Sequence, residues 1–283
     1  MARLVVIGAL ALDRPIRLNG CPKPGARLIG RSLEGDLAGQ LGGGGANAGV
    51  ALVRAGHHVR LSSIIASDAE GDQALALAKA AELDVSLVQR RPGLSRTTLI
   101  LVDPNGERLV LHLDPEPVVL SPLPPPDDEV IDGLYLRAPY PGAQAWAEAC
   151  TGPVIAHWPG PGFHGPCDIV VASADDCDAA TRADPLAAGQ AVFGNRLSAF
   201  VMTHGAEMVV AHLQGRSIEV TPSPATVVDA TGAGDVFAAG LLDAMVGGAD
   251  LERALKHACA WGAIAVRIEG SAPVTGAFRP IVP

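Results

Sequence analysis

The sequence predicts an α/β fold, a mostly parallel sheet covered on both faces by helices, with a second, smaller β-sheet attached. Apolar, β-rich runs alternate with segments of helical periodicity along most of the 283 residues, and such alternation is typical of parallel sheets. Residues 13–39 and 95–115 are strand-like but more polar, and they interrupt this alternation. We expect one domain, 1–283, in which these two segments form a β-sheet lid.

In the first half, the apolar run Leu4–Leu12 predicts a single strand buried on both faces. Ala46–Gly56 predicts a helix that ends at its glycine, and HVRLSSII predicts the next strand. Asp68–Leu83 combines helical periodicity with acids in its first turn, which predicts a second helix. The runs TTLILVD and RLVLHLD predict a hairpin, because the turn residues between them are Pro104, Asn105 and Gly106.

The second half begins after a proline-rich connection, PEPVVLSPLPPPDD, which predicts an irregular surface segment. Five runs then predict strands: GLYL, PVIAHW, DIVVAS, AFVMTHG and MVVAHL. Four segments predict helices: AQAWAEAC, ADDCDAATR, GDVFAAGLLDAMV and LERALKHACAWGAIAVRI. The alternation of strand and helix therefore continues to the last helix.

Composition and charge exclude several classes of function. The formal net charge is −9 and no Lys/Arg cluster is present, so we expect no nucleic-acid partner. No apolar segment is long enough to cross a bilayer, so we expect no membrane partner. The five cysteines include no C-x-x-C pair, which predicts free thiols and a cytoplasmic location.

The stretch DATGAGD, Asp229–Asp235, stands directly before the apolar run of a predicted helix. The first turn of a helix leaves backbone N–H groups without partners, beside the positive end of the helix dipole. Those of Ala233, Gly234 and Asp235 would stabilise the negative charge on a transferring phosphoryl group, and the Asp235 carboxylate would accept a hydroxyl proton. An ordinary glycine-rich helix start with a capping acid is an equally good interpretation of this pattern on physical grounds alone.

A second glycine turn opens a helix in GGGGANAGVALVRAG, Gly42–Gly56. Its Asn47 would hydrogen-bond a polar ligand, and its glycines would let that ligand approach the main chain. By itself this pattern more often indicates a flexible loop or close helix packing. It also lacks the spacing of a P-loop.

Together and in this order, the two motifs resemble the signatures of the ribokinase-like, or PfkB, family of carbohydrate kinases. The resemblance extends to Asp13, to the hairpin TTLILVDPNGER and to FVMTHGAE. It implies a ribokinase-like, three-layer α/β/α core with a β-sheet lid. It also implies transfer of the γ-phosphoryl group of ATP to a sugar-type hydroxyl with the help of Mg²⁺.

The resemblance further implies roles for individual residues. Asp235 corresponds to the general base, and the anion hole corresponds to Gly232, Ala233 and Gly234. The binders of substrate hydroxyls correspond to Asp13, Gly42, Gly43 and Asn47. The nucleotide site corresponds to Thr203 and Gly205, with Thr231, Ser173 and Cys259 near it. Asp229 resembles the acid that helps to hold a monovalent cation in some members, and a requirement for K⁺ stays open.

The sequence departs from the family pattern at four places. Where many relatives carry an Asn-x-x-Glu motif for Mg²⁺ and phosphate, this chain has SADD, Ser173–Asp176, in which Asp176 keeps the charge on a shorter arm. The same four residues are also typical of a helix cap. Gly44 stands where ribokinases often have Lys, which argues against ribose. Arg137 falls near a sugar-contacting acid of ribokinases and would favour a sugar acid or sugar phosphate, unless it faces solvent. Cys259 falls near a position that often faces adenine, although a buried structural cysteine is the simpler interpretation.

Three hypotheses of function follow. The first is an ATP-dependent kinase for a small sugar-type substrate, with a homodimer formed through the lid. The second keeps the fold and changes the acceptor to a nucleoside. The third is a non-catalytic ligand sensor on a kinase scaffold, for which the altered SADD segment is the argument.

Overall fold

The α/β arrangement is confirmed by the structure, a computed structural model. It describes residues 1–32, 39–105, 108–113, 122–124, 126, 129–138, 140–158, 165–268, 270, 272 and 278. Within these ranges the strands form one nine-stranded sheet and one separate five-stranded sheet. No helix in the described part of the chain is long and apolar enough to span a bilayer.

The nine-stranded sheet forms the centre of the molecule. Its strands from β12 to β6 are all parallel, and only β13 and β14 at one edge run antiparallel to their neighbours. In spatial order they are β14 (Arg216–Val220), β13 (Val209–Leu213), β12 (Ala199–Thr203), β11 (Ile169–Ser173), β10 (Val154–His157), β9 (Gly133–Leu136), β1 (Arg3–Ile7), β5 (His58–Ala66) and β6 (Val88–Arg91).

Helices cover both faces of this sheet. They are α1 (Gly44–Arg54), α2 (Ala69–Ala80), α3 (Ala143–Ala149), α4 (Ala179–Ala183), α5 (Pro185–Phe193), α6 (Ala233–Val246) and α7 (Leu251–Ala265). Successive side chains of a strand point to opposite faces. Accordingly, Leu4 and Val6 join the apolar cluster that contains α1, α6 and α7, whereas Val5 and Ile7 join the cluster that contains α3 and α5. The core therefore has three layers.

The five-stranded sheet is built mainly from the two polar segments, 13–39 and 95–115, although β4 and the start of β2 lie outside them. Its strands are β2 (Ala11–Leu18), β3 (Gly30–Ser32), β4 (Gln40–Gly42), β7 (Thr97–Val102) and β8 (Arg108–Leu113). The order is β3-β2-β7-β8, and β4 also pairs with β2. Residues 33–38, 106, 107, 114 and 115 of the two predicted lid segments lie outside the described residues, as does most of the proline-rich connection. The role of this sheet as a lid stays a prediction.

The prediction of a single strand over Leu4–Leu12 was wrong. The strand β1 ends at Ile7, and β2 begins at Ala11 in the other sheet. Between them the backbone passes directly against α1: a Cβ on Gly8 would lie 2.8 Å from the Cα of Gly45. The residues on both sides of this break, up to Leu12, are apolar, so local hydrophobicity cannot reveal the point at which the chain leaves one sheet for the other.

Several other elements differ from their predicted extents. The segment ADDCDAATR is a 3₁₀ turn, Ala174–Asp176, followed by α4, because Asp178 caps a new helix by accepting a hydrogen bond from the amide of Thr181. α7 ends at Ala265, before the predicted VRI. The elements β6, β14 and α5 were not predicted at all.

Candidate active site

The predicted site residues gather at one edge of the central sheet. The carboxyl ends of β1, β9, β10, β11 and β12 meet there because these strands are parallel. The α1 and α6 helices both begin at the same edge, since α1 packs beside α6 in the core. A crevice outside the carboxyl ends of parallel strands is the usual ligand site of open α/β sheets.

Asp235, in the first turn of α6, is the meeting point of three elements. Its Oδ2 accepts a hydrogen bond of 3.0 Å from Nδ2 of Asn47 on α1. Its Oδ1 accepts one of 2.5 Å from Nε of Arg137, which directly follows β9. Asp235 and Asn47 are buried, whereas the Arg137 side chain keeps 35% of its surface exposed. The structure thus brings together a carboxylate, an amide and a guanidinium that are far apart in the sequence.

Glycine is required next to this cluster for steric reasons. A Cβ on Gly44 would lie 2.7 Å from Nε of Arg137 and 3.0 Å from Oδ1 of Asp235. On the other side, a Cβ on Gly8 would lie 2.9 Å from the Cβ of Arg137. Larger residues at either position would displace Arg137 from Asp235.

The charge of Asp235 affects the groups around it. Asp235, as the nearest opposite charge, raises the pKa of Arg137, so this guanidinium stays protonated. Burial, with a contribution from the positive charge of Arg137, lowers the pKa of His157 to about 4. At neutral pH His157 is therefore uncharged, and its Nδ1 can accept the hydrogen bond that the Tyr135 hydroxyl donates over 3.3 Å.

Tyr135 and His157 were missed by sequence reasoning, which assigned neither a role. Each lies at or near the carboxyl end of a strand at this edge of the sheet, β9 and β10 respectively. A polar residue at the carboxyl end of an otherwise apolar strand, as in PVIAHW, was the available signal.

The two glycine-rich helix starts differ in their free backbone donors. At α1, the amides of Gly45 and Ala46 both donate to the carbonyl of Ala9, at 3.0 and 3.2 Å. At α6, the amides of Gly234 and Asp235 have no acceptor among the residues that the structure describes. Only α6 therefore offers an open amide pair, at the positive end of its dipole, to an anion.

The prediction for Ala233 needs a correction. Its amide is turned back toward the carbonyl of Ala230, at 3.3 Å, and does not point outward as expected. Gly232 directly before it adopts φ 76°, a left-handed conformation that glycine allows without strain. The open donors at the helix tip are thus those of Gly234 and Asp235.

The loop that leads into α6 is held by Asp229. Its Oδ1 accepts from the amide of Thr231 at 2.7 Å, and its Oδ2 accepts from the amide of Gly270 at 3.1 Å. The amides of Val228 and Asp229 both donate to the carbonyl of Val266, just beyond α7. The end of α7 thereby fixes the position of the DATGAGD segment.

Asp13 lies on β2 of the small sheet, next to the glycine turn. It is buried, and a Cβ on Gly42 would lie 2.2 Å from its Oδ2, so its carboxylate rests directly on the main chain of Gly42. Gly43 follows with φ 89°, and a Cβ there would lie 2.6 Å from the carbonyl oxygen of Ala9. The predicted substrate-binding residues Asp13, Gly42, Gly43 and Asn47 thus lie on consecutive parts of one turn and its neighbour.

The residues of the predicted nucleotide site lie further along the same edge. Ser173 and Thr203 are directly opposite each other at the ends of β11 and β12. The Thr203 hydroxyl donates to the carbonyl of Ala172 at 3.2 Å, and Gly205 turns the chain with φ 58°. Cys259 is buried within the main apolar cluster on α7, and burial raises the pKa of its thiol to about 11, as expected of a structural cysteine.

The predicted metal ligands do not form a protein cage. Asp176 is exposed in the 3₁₀ turn after β11, and the amide of Asp175 donates to the Ser173 hydroxyl at 3.4 Å. In the described ranges no group of three or more His, Cys, Asp and Glu side chains could hold a metal. One exposed carboxylate fits Mg²⁺, which keeps several waters and binds mainly to substrate phosphates.

Both the sequence and the fold of this chain are similar to those of known proteins. The family model described as pfkB family carbohydrate kinase matches residues 1–124 and 165–275. A ribokinase from Cryptococcus neoformans var. grubii serotype A in complex with ADP has a TM-score of 0.74 at 20% identity, covering 98% of each chain. The comparison with curated proteins found no match.

Two further solved structures share the fold. Ribokinase from Arabidopsis thaliana, complexed with ribose and ATP, has a TM-score of 0.72 at 20% identity, covering 96% of this chain and 95% of that one. A nucleoside kinase from Burkholderia thailandensis, in complex with inosine, has a TM-score of 0.73 at 18% identity, covering 98% and 93%. Because the family model matches most of the chain, including both glycine-rich helix starts, this protein belongs to the pfkB family of carbohydrate kinases.

Proposed function

We propose that the protein is an ATP-dependent kinase that transfers the γ-phosphoryl group to a hydroxyl of a small sugar or sugar derivative. The observation that carries this proposal is the tip of α6, where the amides of Gly234 and Asp235, which have no acceptor in the described part of the chain, adjoin the buried Asp235 carboxylate. Phosphoryl transfer needs alignment and charge stabilisation more than covalent chemistry, and this arrangement supplies both.

In the proposed reaction, Asp235 accepts the proton of the acceptor hydroxyl. The resulting oxygen attacks the γ-phosphorus in line, and ADP leaves with the bridging oxygen. The hydrogen bond from Asn47 orients the Asp235 carboxylate. The charge that develops on the transferred group is stabilised by the amides of Gly234 and Asp235, within reach of the α6 dipole.

We further propose that ATP lies over the ends of β11 and β12, and the ADP and ATP complexes of the two ribokinases support this choice of nucleotide. Ser173 and Thr203 are adjacent at this edge. Mg²⁺, when bound, would neutralise phosphate charge, with Asp176 as the carboxylate within its reach. A K⁺ site at Asp229 stays a proposal. Both of its carboxylate oxygens already accept hydrogen bonds from backbone amides.

A nucleoside is the alternative acceptor, and the inosine complex of the Burkholderia nucleoside kinase supports it. The strands of the small sheet carry aliphatic side chains and no Phe, Tyr or Trp that would stack on a base. This composition favours a sugar.

Location and assembly also remain proposals. All five cysteines are free, which supports a cytoplasmic location. The β8 strand of the small sheet exposes several large aliphatic side chains, which supports a homodimer formed through this sheet: Leu109, Val110, Leu111 and Leu113.

The decisive experiment measures ADP release from ATP, with Mg²⁺ and K⁺ present, across a panel of sugars, sugar acids, sugar phosphates and nucleosides. We expect release that depends on a sugar-type acceptor. Release only with nucleosides would select the alternative acceptor. Tight binding of a panel member without ADP release from any of them would instead identify a sensor.

A further inference from the structure

We propose that Arg137 binds a carboxylate or phosphate group of the acceptor, so that the substrate of this kinase is an anionic sugar derivative. This inference rests on the proposed kinase function and narrows its substrate class. It is carried by the position of Arg137, by the donors that Arg137 leaves unused, and by the glycines that make room for it.

Arg137 lies at the edge of the central sheet beside the predicted acceptor residues. It follows β9, which is the neighbour of β1, and it contacts Asp235 beside the start of α1. The γ-phosphoryl group would lie against the amides of Gly234 and Asp235 at the tip of α6, whereas Arg137 reaches Asp235 from the end of β9 and packs against Gly8 and Gly44, beside the predicted acceptor residues. We therefore assign the free part of Arg137 to an anion of the acceptor. The test below distinguishes this anion from the γ-phosphoryl group, because loss of a contact to the nucleotide would affect all acceptors equally.

The guanidinium of Arg137 is only partly used. Its Nε donates to Asp235, and no acceptor for Nη1 or Nη2 occurs among the residues that the structure describes. Arg196 shows the contrast, because its Nε and Nη2 grip both oxygens of Asp168 at 2.7 and 2.9 Å, and its Nη1 reaches the carbonyl of Ala147 at 3.3 Å. The side chains of the two arginines are equally exposed, at 35%. The guanidinium nitrogens of Arg196 all donate to protein acceptors, whereas Nη1 and Nη2 of Arg137 stay available to a ligand.

This fork has the geometry that carboxylates and phosphates require. A guanidinium presents two parallel N–H groups that pair with two oxygens of one anion. A neutral sugar hydroxyl offers no such pair and no charge. Because Gly8 and Gly44 have no side chains, Arg137 fits between them and reaches Asp235. A side chain at position 44 would clash with Arg137.

Binding of an acceptor anion to Arg137 would also affect Asp235, the proposed general base. When the acceptor anion takes the guanidinium, the Arg137 contact with Oδ1 of Asp235 loosens, and that oxygen becomes available for the hydroxyl proton. An anionic acceptor would thus both bind Arg137 and free Asp235 to act as the base, whereas a neutral acceptor would leave the Arg137 contact with Asp235 in place.

The test compares three acceptors on one carbon skeleton: an aldose, the corresponding aldonic acid and the aldose phosphate. We expect wild-type protein to prefer an anionic acceptor over the aldose in kcat/KM. Arg137→Gln should reduce this preference by about 10- to 100-fold, the value of a charge-assisted hydrogen-bond pair, through a higher KM for the anions and a smaller kcat advantage over the aldose. Arg137→Lys should fall between, since it keeps the charge and loses the fork. The matched control, Arg196→Gln, should leave the preference unchanged. The favoured anion tells a carboxylate substrate from a phosphate substrate.

The outcomes separate this inference from the proposed function. Two results would overturn the inference and leave the kinase function intact. One is an equal kcat/KM for the aldose and both anions, and the other is an equal loss of kcat/KM for all three acceptors in Arg137→Gln. Absence of ADP release with every acceptor would overturn the kinase. Calorimetric titration of wild type and Arg137→Gln with the aldonic acid and the aldose phosphate would then decide the inference. Binding that depends on Arg137 supports it, and binding or non-binding that is the same in both proteins refutes it. Thermal denaturation of each variant checks that it is folded.

Discussion

At the scale of single residues, Asp235 is the most informative position. Asp235→Asn keeps the shape of the side chain and a hydrogen-bonding oxygen but removes the proton acceptor. We therefore expect kcat for the sugar-type acceptor to fall by about 10³-fold, within the range of general base catalysis, while the fold is retained. Steady-state ADP release and circular dichroism measure the two effects.

Asp250→Asn is the matched control for this substitution. Asp250 caps α7 by accepting a hydrogen bond from the amide of Arg253, and asparagine caps a helix about as well as aspartate. We expect unchanged kcat in this control. Turnover of Asp235→Asn equal to that of wild type would remove Asp235 from the mechanism.

His157 allows a prediction about pH. Burial lowers its pKa from 6.5 to about 4 in the folded protein. Between these two values the unfolded chain binds a proton that the folded protein does not, so the free energy of unfolding decreases as the pH falls from 6.5 to about 4. His157→Asn removes this contribution and should give a shallower dependence over that window. Urea unfolding at a series of pH values measures it, and parallel curves for both proteins would contradict the prediction.

At the scale of elements, the packing of α6 against α7 depends on one glycine. A Cβ on Gly240 of α6 would lie 2.9 to 3.0 Å from three atoms of the buried Trp261 on α7. We expect Gly240→Ala to lower the free energy of unfolding by about 1 to 3 kcal/mol, the usual cost of overpacking. Denaturant unfolding measures this change.

Gly262 of α7 provides the control for this prediction. A Cβ there would make only ordinary contacts, 3.8 Å from the Cβ of Phe237 and 3.9 Å from the carbonyl oxygen of Ala233. Because alanine favours a helix by about 0.5 to 1 kcal/mol over glycine, Gly262→Ala should be neutral or stabilising. Equal destabilisation by both substitutions would show that Trp261 does not set the distance between the helices.

The starts of α1 and α6 differ in whether their backbone amides are free within the described part of the chain. In the sequence, GGGGANAG and TGAGD are both glycine-rich helix starts, and outward-facing amides were predicted only for the second. In the structure, the Ala9 carbonyl takes the amides of Gly45 and Ala46, so α1 can present Asn47 but no anion hole. The identity of the helix that binds an anion therefore depends on a carbonyl some 35 residues away, which no local pattern contains.

At the scale of the whole molecule, Asp243 joins distant parts of the chain. Its Oδ1 lies 2.6 Å from Nε2 of His57, beyond α1, and its Oδ2 lies 2.7 Å from Nε2 of His257 on α7. The side chain of Asp243 is 1% exposed. The cluster therefore links α6 to α7 and to the connection between α1 and β5.

Asp243→Asn should weaken this link, because an amide nitrogen cannot accept one of the two hydrogen bonds. We expect the free energy of unfolding at pH 7 to fall by about 1 to 3 kcal/mol. Glu252→Gln, which breaks an exposed pair with Lys256, is the control and should change it by less than about 0.5 kcal/mol. Chemical denaturation of both variants checks the prediction.

The contribution of the Asp243 cluster to stability also has a predictable pH dependence. Burial opposes ionisation, but the hydrogen bonds from His257 and His57 outweigh it and lower the pKa of Asp243 below 3.8. The stabilisation by the carboxylate is present above this value and is lost as the pH falls through the lower folded pKa. The difference between wild type and Asp243→Asn should therefore shrink below about pH 4. A difference that stays constant there would contradict the assignment.

Most of the strands and helices, the α/β class and the two glycine-rich helix starts followed from local patterns, because periodicity and turn residues depend on neighbours in the chain. The motifs also singled out Asp235 and Asn47, which the structure brings into hydrogen-bond contact, and their roles in a site stay predictions. The break inside Leu4–Leu12, the closed tip of α1 and the contact of Arg137 with Asp235, 98 residues apart, were decided only by tertiary structure. Each depends on a backbone group or side chain brought in from elsewhere, and packing between distant segments leaves no periodic trace in the sequence.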